Sequence, residues 1–435
     1  MENIKPLKTS TSGSTIVSIV ILGLMFFTFG FISWVNAILI PYFKIACELS
    51  NFQSYLVAFA FYISYLVMSM PSSYLLKKVG YKNGIVVGFW ILALGALIFV
   101  PAAYGRTYWI FLFGLFTLGT GLALLQTVAN LYITLIGEQE RAAQRISIMG
   151  ICNKGAGILA PLAFSWAVLR PTDQALFLEI PTLGDIERAL VLDDLIMRVV
   201  APYSVLAIIL LLIGGAIKFS PLPEVQTQKS ITDRQGQKGG LIHYPHLVLG
   251  ALAIFLHVGT QVIAIDTVIG YAGTMGLTLL EAKTLPSYTL TATIVGYLLG
   301  IVLIPKVIKQ SSMLRICALL GLLLSLSVCV LHGEVTWFDK RLDISIWFLM
   351  FIGLPNALIW AGIWPLALDG LGEHAKQGSA LLIMGLCGNA IVPLIYGAIA
   401  DATNEKMAYW VLVPCFLYIV YYAFWGSKLR SWTTK

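Results

Sequence analysis

Long charge-free runs dominate the pattern of hydrophobic and polar positions along the 435-residue chain. Ten runs carry no Asp, Glu, Lys or Arg, and two more carry a single charged residue, Lys154 or Asp266. The twelve runs cover residues 9–43, 49–76, 83–105, 107–137, 146–169, 199–217, 239–280, 284–305, 316–333, 344–368, 377–400 and 407–427. A membrane-spanning helix needs about 20 apolar residues. Because lipid offers backbone groups no hydrogen-bond partners, these runs predict twelve transmembrane α-helices.

Composition supports a polytopic membrane protein. Charged residues make up 11% of the chain and hydrophobic residues 58%, with a mean hydropathy of +0.86. An ordinary soluble domain is about 25% charged and could not cover so much apolar surface. Disordered chains and secreted disulfide scaffolds are excluded as well. Twelve spans leave little room for a soluble catalytic domain, and no cofactor is expected.

The distribution of Lys and Arg predicts the orientation of the spans. If both termini are cytoplasmic, the inside segments hold 18 of these residues and the outside segments hold 9. This bias follows the positive-inside rule, so the net charge of +7 reflects topology. Nucleic-acid binding is a poor interpretation because the positive charge is spread over many short loops. We expect a multi-pass protein of a bacterial inner (cytoplasmic) membrane, in contact with the lipid bilayer.

Two long polar connections organise the chain. Residues 170–198 should be external, and residues 218–244 should form a cytoplasmic linker that divides the spans six and six. The predicted units are therefore an N-terminal bundle at 1–217, the linker, and a C-terminal bundle at 245–435. Ile148-Met149-Gly150-Ile151-Cys152 recurs as Ile383-Met384-Gly385-Leu386-Cys387 at an offset of 235, and Gly30 aligns weakly with Gly259 at an offset of 229. Two parallel six-helix repeats are the layout of the major facilitator superfamily.

Several segments resemble the fucose–proton symporter family, including its glucose/galactose and N-acetylglucosamine branch. The matching segments are Phe26–Phe31, Asn36–Pro41, Asn51–Gln53, Ala60–Tyr62, Lys77–Lys82, Gln126–Asn130, Thr134–Gly137, Arg145–Lys154 and Gly378–Gly385. The resemblance covers nearly the whole chain. It implies a transporter that is not an enzyme, the major facilitator fold, and a sugar as substrate.

Two positions depart from the pattern of the fucose symporters. Those proteins have an aspartate in span 1 where this chain has Ala37, and a glutamate in span 4 where it has Gln126. The resemblance assigns proton coupling to these carboxylates, so their absence puts that mechanism in doubt here. It favours Na⁺ over H⁺ as the coupling ion, although either ion and uncoupled uniport stay open.

Asp266 and Lys154 are the two charges inside the runs, and both are candidate coupling residues. A charged side chain at the centre of a membrane helix costs about 2.5–3.5 kcal/mol or more, so it should face a cavity or a partner. The offset of 229 makes Asp266 the counterpart of Ala37, and Asp266 could bind a proton or a Na⁺ ion. The Lys154 ammonium could bind a substrate oxygen, act as an internal positive charge in place of a coupling cation, or pair with Asp266. A Lys154–Asp266 pair released by ion binding would be a switch. The alternatives are a structural ion pair and side chains that extend to the interface.

Amide side chains are the candidate sugar ligands because they both donate and accept hydrogen bonds without a buried charge. Gln126 and Asn130 lie four residues apart and share a helix face. The candidates are Asn36, Gln126, Asn130, Asn153, Gln261, Asn356 and Asn389. Trp360, four residues before Trp364, is a candidate to stack on the apolar face of a pyranose ring. The alternative for each amide is an interhelical hydrogen bond.

The sequence thus predicts a monomeric secondary active transporter that imports a hexose or N-acetylhexosamine by alternating access, with Na⁺ or H⁺ as coupling ion. The alternatives are an uncoupled sugar uniporter and an exporter of a small metabolite or drug. An intramembrane enzyme would need paired catalytic groups, and a sugar sensor would usually have a soluble output domain.

Overall fold

A computed structural model describes the chain in six stretches. They are residues 12–135, 142–220, 241–304, 307–337, 340–371 and 374–432. Within these stretches the side chains are described except at 12–18, 69, 70, 73, 77, 130–135, 142–147, 337, 340, 375 and 376.

Helices account for nearly all regular structure in the described stretches. The first half contains α1 (Ser12–Trp34), α2 (Asn36–Ala46), α3 (Asn51–Val79), α4 (Tyr81–Tyr104), α5 (Tyr108–Leu135), α6 (Ala142–Val168), α7 (Asp173–Glu179), α8 (Asp185–Met197) and α9 (Val200–Phe219). The second half contains α10 (Pro245–Asp266), α11 (Val268–Thr274), α12 (Leu279–Ala282), α13 (Leu285–Leu303), α14 (Gln310–Val330), β1 (Glu334–Trp337), β2 (Lys340–Asp343), α15 (Ile344–Phe351), α16 (Gly353–Leu368), α17 (Ala375–Met384), α18 (Gly388–Ala402), α19 (Glu405–Ala408) and α20 (Leu412–Phe424).

Twelve segments of the described chain are long and apolar enough to cross a membrane, which confirms the predicted all-α architecture. Spans 1 to 6 are Ile19–Ala46, Asn51–Met68, Tyr81–Tyr104, Tyr108–Ala129, Ile148–Val168 and Asp185–Phe219. Spans 7 to 12 are Pro245–Asp266, Leu279–Leu303, Gln310–Val330, Ile344–Leu368, Gln377–Ala402 and Glu405–Lys428. Six spans lie on each side of residues 221–240, which are outside the described chain.

Two connections contain regular structure that the sequence pattern did not predict. The polar segment 170–198 contains α7 and all of α8, and α8 forms the start of span 6. The connection between spans 9 and 10 contains an antiparallel hairpin of β1 and β2. Helix α9 extends to Phe219, so the predicted linker start at 218 falls within the last turn of a helix. Lys218 lies in that turn, where a positive charge is favourable at a helix C-terminus.

The weak sequence repeat corresponds to a helix crossing that occurs in both halves. Spans 1 and 5 meet at Gly30, where a Cβ would lie 1.9 Å from the carbonyl oxygen of Asn153. Spans 7 and 11 meet at Gly388, where a Cβ would lie 1.8 Å from the carbonyl oxygen of Phe255. The offset of 235 relates Asn153 to Gly388. The two bundles therefore share one backbone arrangement, with the glycine supplied by a different helix in each.

Candidate substrate and ion sites between the halves

A small cavity lies between the two halves and brings together two candidate sugar ligands, Gln126 and Trp360. Spans 2, 4, 10 and 11 supply its lining, which consists of Tyr65, Ala123, Gln126, Thr127, Trp360, Ile383 and Leu386. The cavity has a volume of about 20 Å³, room for about one water molecule. Small-molecule sites usually span roughly 300 Å³ or more. The halves must therefore move apart before a sugar can occupy this position.

Trp360 has the support of a second indole. The rings of Trp360 and Trp364 stack with centroids 5.2 Å apart and an interplanar angle of 25°. Both side chains are half-buried on α16, and Pro365 follows them within the helix. A half-buried indole next to an amide can contact the apolar face of a sugar while Gln126 bonds to a hydroxyl.

Sequence reasoning missed Tyr65 and Thr127 as lining residues. Tyr65 stacks on Tyr62 at 6.3 Å between ring centroids. The Thr127 hydroxyl donates to the carbonyl oxygen of Ala123 at 2.8 Å, so its hydrogen is engaged within its own helix. Thr127 was detectable from its position beside Gln126. Tyr65 was hidden among the many aromatic residues of the spans, most of which face lipid or the core.

Lys154 is buried, with 5% of its surface exposed, and its ammonium lies over the indole of Trp34. The Nζ atom is 4.1 Å from the ring centroid. The Trp34 Nε1–H donates to the side-chain oxygen of Asn153 at 3.3 Å. The Asn153 side-chain nitrogen donates to the carbonyl oxygen of Phe26 at 3.3 Å. The Asn153 amide thus joins spans 1 and 5, which is the interhelical alternative for this candidate ligand.

Asp266 is the last residue of α10 and is 1% exposed. Neither of its carboxylate oxygens has a hydrogen-bond partner among the described residues. No ion pair joins it to Lys154 in the described part of the chain, so the hypothetical Lys154–Asp266 switch is not formed in this conformation. Tyr62 on span 2 lies within electrostatic range of Asp266. Asp266 is thus a buried carboxylate close to the interface between the halves.

Three further candidate amides occupy buried or half-buried positions with unused polar atoms. Asn36 begins α2, is fully buried, and has no partner among the described residues for either side-chain polar atom. The Asn356 side-chain oxygen accepts from the Thr260 hydroxyl at 3.5 Å, while its nitrogen has no partner in the described part of the chain. The same is true of the Asn389 side-chain oxygen within the described stretches. Buried polar groups are normally hydrogen-bonded, so these atoms are available to water, an ion or a substrate.

The last two amides are less informative. Gln261 is half-buried on α10 and does not line the cavity described above. Asn130 belongs to α5, but its side chain lies outside the described residues.

The two halves are latched together at the face predicted to be external. The Asp401 carboxylate accepts from the backbone N–H groups of Asn51 and Phe52, each at 2.8 Å. The Lys44 ammonium lies 3.5 Å from a Glu405 oxygen and donates to the Asn51 side-chain oxygen at 2.5 Å. We call these five residues the external latch. It holds a carboxylate of span 11 at the positive N-terminal end of span 2.

Close packing continues below the latch. The rings of Tyr55 and Tyr396 meet edge-on at 5.5 Å, and a Cβ on Gly397 would lie 2.7 Å from the Tyr55 ring. Tyr409 packs on Tyr396 at 5.0 Å and shares a 2.7 Å hydrogen bond with Thr267. Access to Asp266 from the predicted external face is therefore blocked in this conformation.

Comparisons with known proteins agree with this architecture. The family model described as Major Facilitator Superfamily matches residues 22–396. A glucose/galactose transporter of Brucella abortus is 33% identical over 97% of this chain and 98% of its own length. The L-fucose-proton symporter of Escherichia coli is 28% identical over 97% of this chain and 95% of its own length. A crystal structure of the major facilitator transporter FucP in the outward conformation superposes with a TM-score of 0.70 and 26% identity, and covers 96% of this chain and 100% of that one.

Proposed function

The chain belongs to the major facilitator superfamily, and from that premise we propose that it imports a hexose or N-acetylhexosamine by alternating access, coupled to an ion. Membership makes it a transporter and not an enzyme. The relatives described above support a sugar as the substrate, since they are named for glucose, galactose and fucose.

The observation that carries the proposal is the pairing of Gln126 and Trp360 across the cavity. Gln126 belongs to span 4 of the first half and Trp360 to span 10 of the second half. An amide and an indole together fit a molecule with hydroxyl groups on its edge and an apolar ring face. Because the two residues belong to opposite halves, such a molecule binds both halves at once, as alternating access requires.

Asp266 is the proposed coupling group. An unpartnered buried carboxylate is costly when charged, so it should bind a cation or a proton as part of the cycle. No cluster of three His, Cys, Asp or Glu side chains suited to a metal ion occurs among the described residues. Asp266 belongs to no such cluster of acidic side chains among the described residues, which supports H⁺ over Na⁺, although the missing family carboxylates favour Na⁺. Transport assays that vary the two ions separately will decide between them.

The proposal is tested by counterflow in proteoliposomes. Vesicles loaded with glucose, galactose, N-acetylglucosamine or fucose are diluted into the labelled sugar, and accumulation is then measured with Na⁺ and pH gradients imposed one at a time. We expect counterflow with at least one sugar and accumulation that follows one gradient. Absence of counterflow with every sugar would overturn the proposal, and counterflow unaffected by either gradient would favour a uniporter.

Two variants test whether the cavity binds the sugar. Gln126→Leu removes hydrogen bonds worth about 1 kcal/mol each, so KM should rise roughly 5- to 30-fold. Trp360→Leu should act in the same direction. Thr117→Val on span 4 and Trp109→Leu, whose side chain is 70% exposed, are the matched controls and should leave KM unchanged. Unchanged KM in both cavity variants would place the sugar elsewhere. Export of a drug or small metabolite by the wild type, without sugar uptake, would favour the exporter alternative.

A further inference from the structure

An apolar crevice opens on the lipid-facing side of the first half and shares no lining residue with the cavity between the halves. It lies between spans 5 and 6 and has a volume of about 530 Å³. Spans 5 and 6 form its rim, with exposed side chains that include Trp166 and Val205. Leu115 and Leu118 of span 4, both buried, form its floor together with Val35 of span 1.

We propose that this crevice is a phospholipid site that takes one acyl chain from the predicted outer leaflet. The lining is almost entirely hydrocarbon and aromatic, so water would gain few hydrogen bonds there. The spans are surrounded by lipid, and an acyl chain is the apolar molecule that the bilayer supplies at this surface. A chain that reaches Leu115 and Leu118 contacts four helices, unlike a lipid that rests on a flat helix surface.

The mouth of the crevice has the features of a headgroup site. Trp166 is 87% exposed two residues before the end of α6, a position typical of indoles at the membrane interface. Arg170 follows four residues later, and its side chain is 61% exposed. Arg170 lies 3.8 Å from Asp194, but that carboxylate is held more closely by Arg198 at 2.6 Å. The Arg170 guanidinium therefore retains free N–H donors for a lipid phosphate.

The site is connected to the helices of the candidate transport machinery. Its floor includes Val35, where span 1 breaks between α1 and α2. Val35 follows Trp34, whose ring covers Lys154, and precedes Asn36. Its lining also includes Phe164 of span 5, which is buried. An acyl chain in the crevice packs against both span 1 and span 5, so we expect occupancy to stabilise this arrangement of the two spans.

The test is native mass spectrometry of the full chain released from nanodiscs of phosphatidylglycerol and phosphatidylethanolamine. The wild type should retain one phospholipid. Val205→Trp places an indole in the crevice, where it excludes part of the acyl chain. If only two methylene groups of that chain lose their burial, the affinity for the lipid falls about tenfold. Val302→Trp on span 8 is the matched control, because Val302 is 61% exposed, against 55% for Val205, and lies outside the crevice.

Three outcomes would overturn the proposal. They are a wild type without a retained lipid, equal retention by the Val205→Trp and Val302→Trp variants, and a dimer that covers the crevice. Arg170→Gln provides an independent check of the headgroup contact. It should lower retention of both phospholipids by about threefold or more and leave a diacylglycerol probe unaffected. Unfolding temperatures in detergent distinguish loss of the lipid from misfolding of the variant. A variant whose new side chain only fills the crevice should unfold at the wild-type temperature, because the helix packing beneath the crevice is unchanged.

Discussion

The two halves share one helix crossing but differ in the charged residue that each buries within its spans. In the first half, Lys154 follows the Asn153 crossing residue of span 5, and the offset of 235 relates it to the neutral Asn389 of span 11. In the second half, Asp266 ends α10, and the offset of 229 relates it to the neutral Ala37 of span 1. Each of these two buried charges therefore corresponds to a neutral residue in the other repeat.

The helix crossing is required for packing in both halves, whereas the buried charges can differ between them. The crossing needs a glycine on one of the two helices, and Gly30 and Gly388 satisfy that need from different sides. The charges differ in how far they are compensated. The Lys154 ammonium has the face of the Trp34 indole, worth roughly 0.5–2 kcal/mol, whereas Asp266 has no partner among the described side chains. Ion binding should therefore change the second half more than the first.

The largest effect should come from breaking the shared crossing itself. Gly30→Val and Gly388→Val would each force a side chain into a carbonyl oxygen less than 2 Å away, at 1.9 and 1.8 Å. Overpacking costs about 1–3 kcal/mol and more where the obstacle is backbone. We expect both variants to lose most folded protein, measured by size-exclusion yield and unfolding temperature. Gly155→Ala, which meets nothing within 4 Å, is the control. If one glycine variant folds normally, the halves do not depend equally on the crossing.

Removing the charge of the second half should abolish coupling while the protein remains folded. A membrane potential of 100 mV supplies about 2.3 kcal/mol per charge, enough for roughly 50-fold accumulation by a symporter that moves one charge. Asp266→Asn keeps the shape of the side chain but cannot take up a proton and offers Na⁺ no negative charge. Accumulation should fall to about onefold, and sugar counterflow should stay within a factor of about two. Wild-type accumulation in this variant would exclude Asp266 as the coupling group.

The periodic features of this molecule could be predicted from sequence, and the pairwise contacts could not. Twelve apolar runs predicted the spans because hydrophobic length decides membrane insertion. A five-residue echo between Ile148 and Ile383 predicted two repeats, and both halves contain the same crossing. The amide of Asn153 illustrates the limit. A side-chain amide can bond equally well to a sugar hydroxyl or to a neighbouring helix. Only the 3.3 Å distances to Trp34 and Phe26 show that the Asn153 amide bridges spans 1 and 5.

The external latch was also beyond the sequence. Asp401 and Asn51 are 350 residues apart, and each looks like an ordinary polar residue at the end of a span. Their contact depends on how the halves are docked, which no local pattern encodes. The hairpin of β1 and β2 was missed for a different reason. Its two four-residue strands are too short to give an alternation pattern within a polar connection.

Replacing the charge of the first half by its counterpart sharpens the comparison. Lys154→Asn installs the residue that the second half has at the related position. Removing an ammonium without a carboxylate partner lowers the cost of burial, so the unfolding temperature should stay equal or rise despite the lost contact with Trp34. Sugar affinity should fall by about tenfold if the ammonium contributes one charged hydrogen bond to the substrate. Lower stability with unchanged transport would make Lys154 a structural residue instead.

The smallest expected effect concerns the external latch, which joins the halves without touching the crossing. The Asp401 carboxylate accepts two backbone N–H groups at the start of α3, and a negative charge at an exposed helix N-terminus is worth about 0.3–1 kcal/mol. Asp401→Asn keeps an acceptor but removes the charge, so the open-to-closed ratio at this face should rise about two- to fivefold. The change is read as a longer distance between spin labels at positions 104 and 402. Asp369→Asn is the control, because its partner Arg430 lies 2.6 Å away in the same half. The Asp401 charge contacts the other half, whereas the Asp369 charge does not. An equal change of the spin-label distance in both variants would therefore mean that loop charge in general, and not the external latch, sets the balance between open and closed forms.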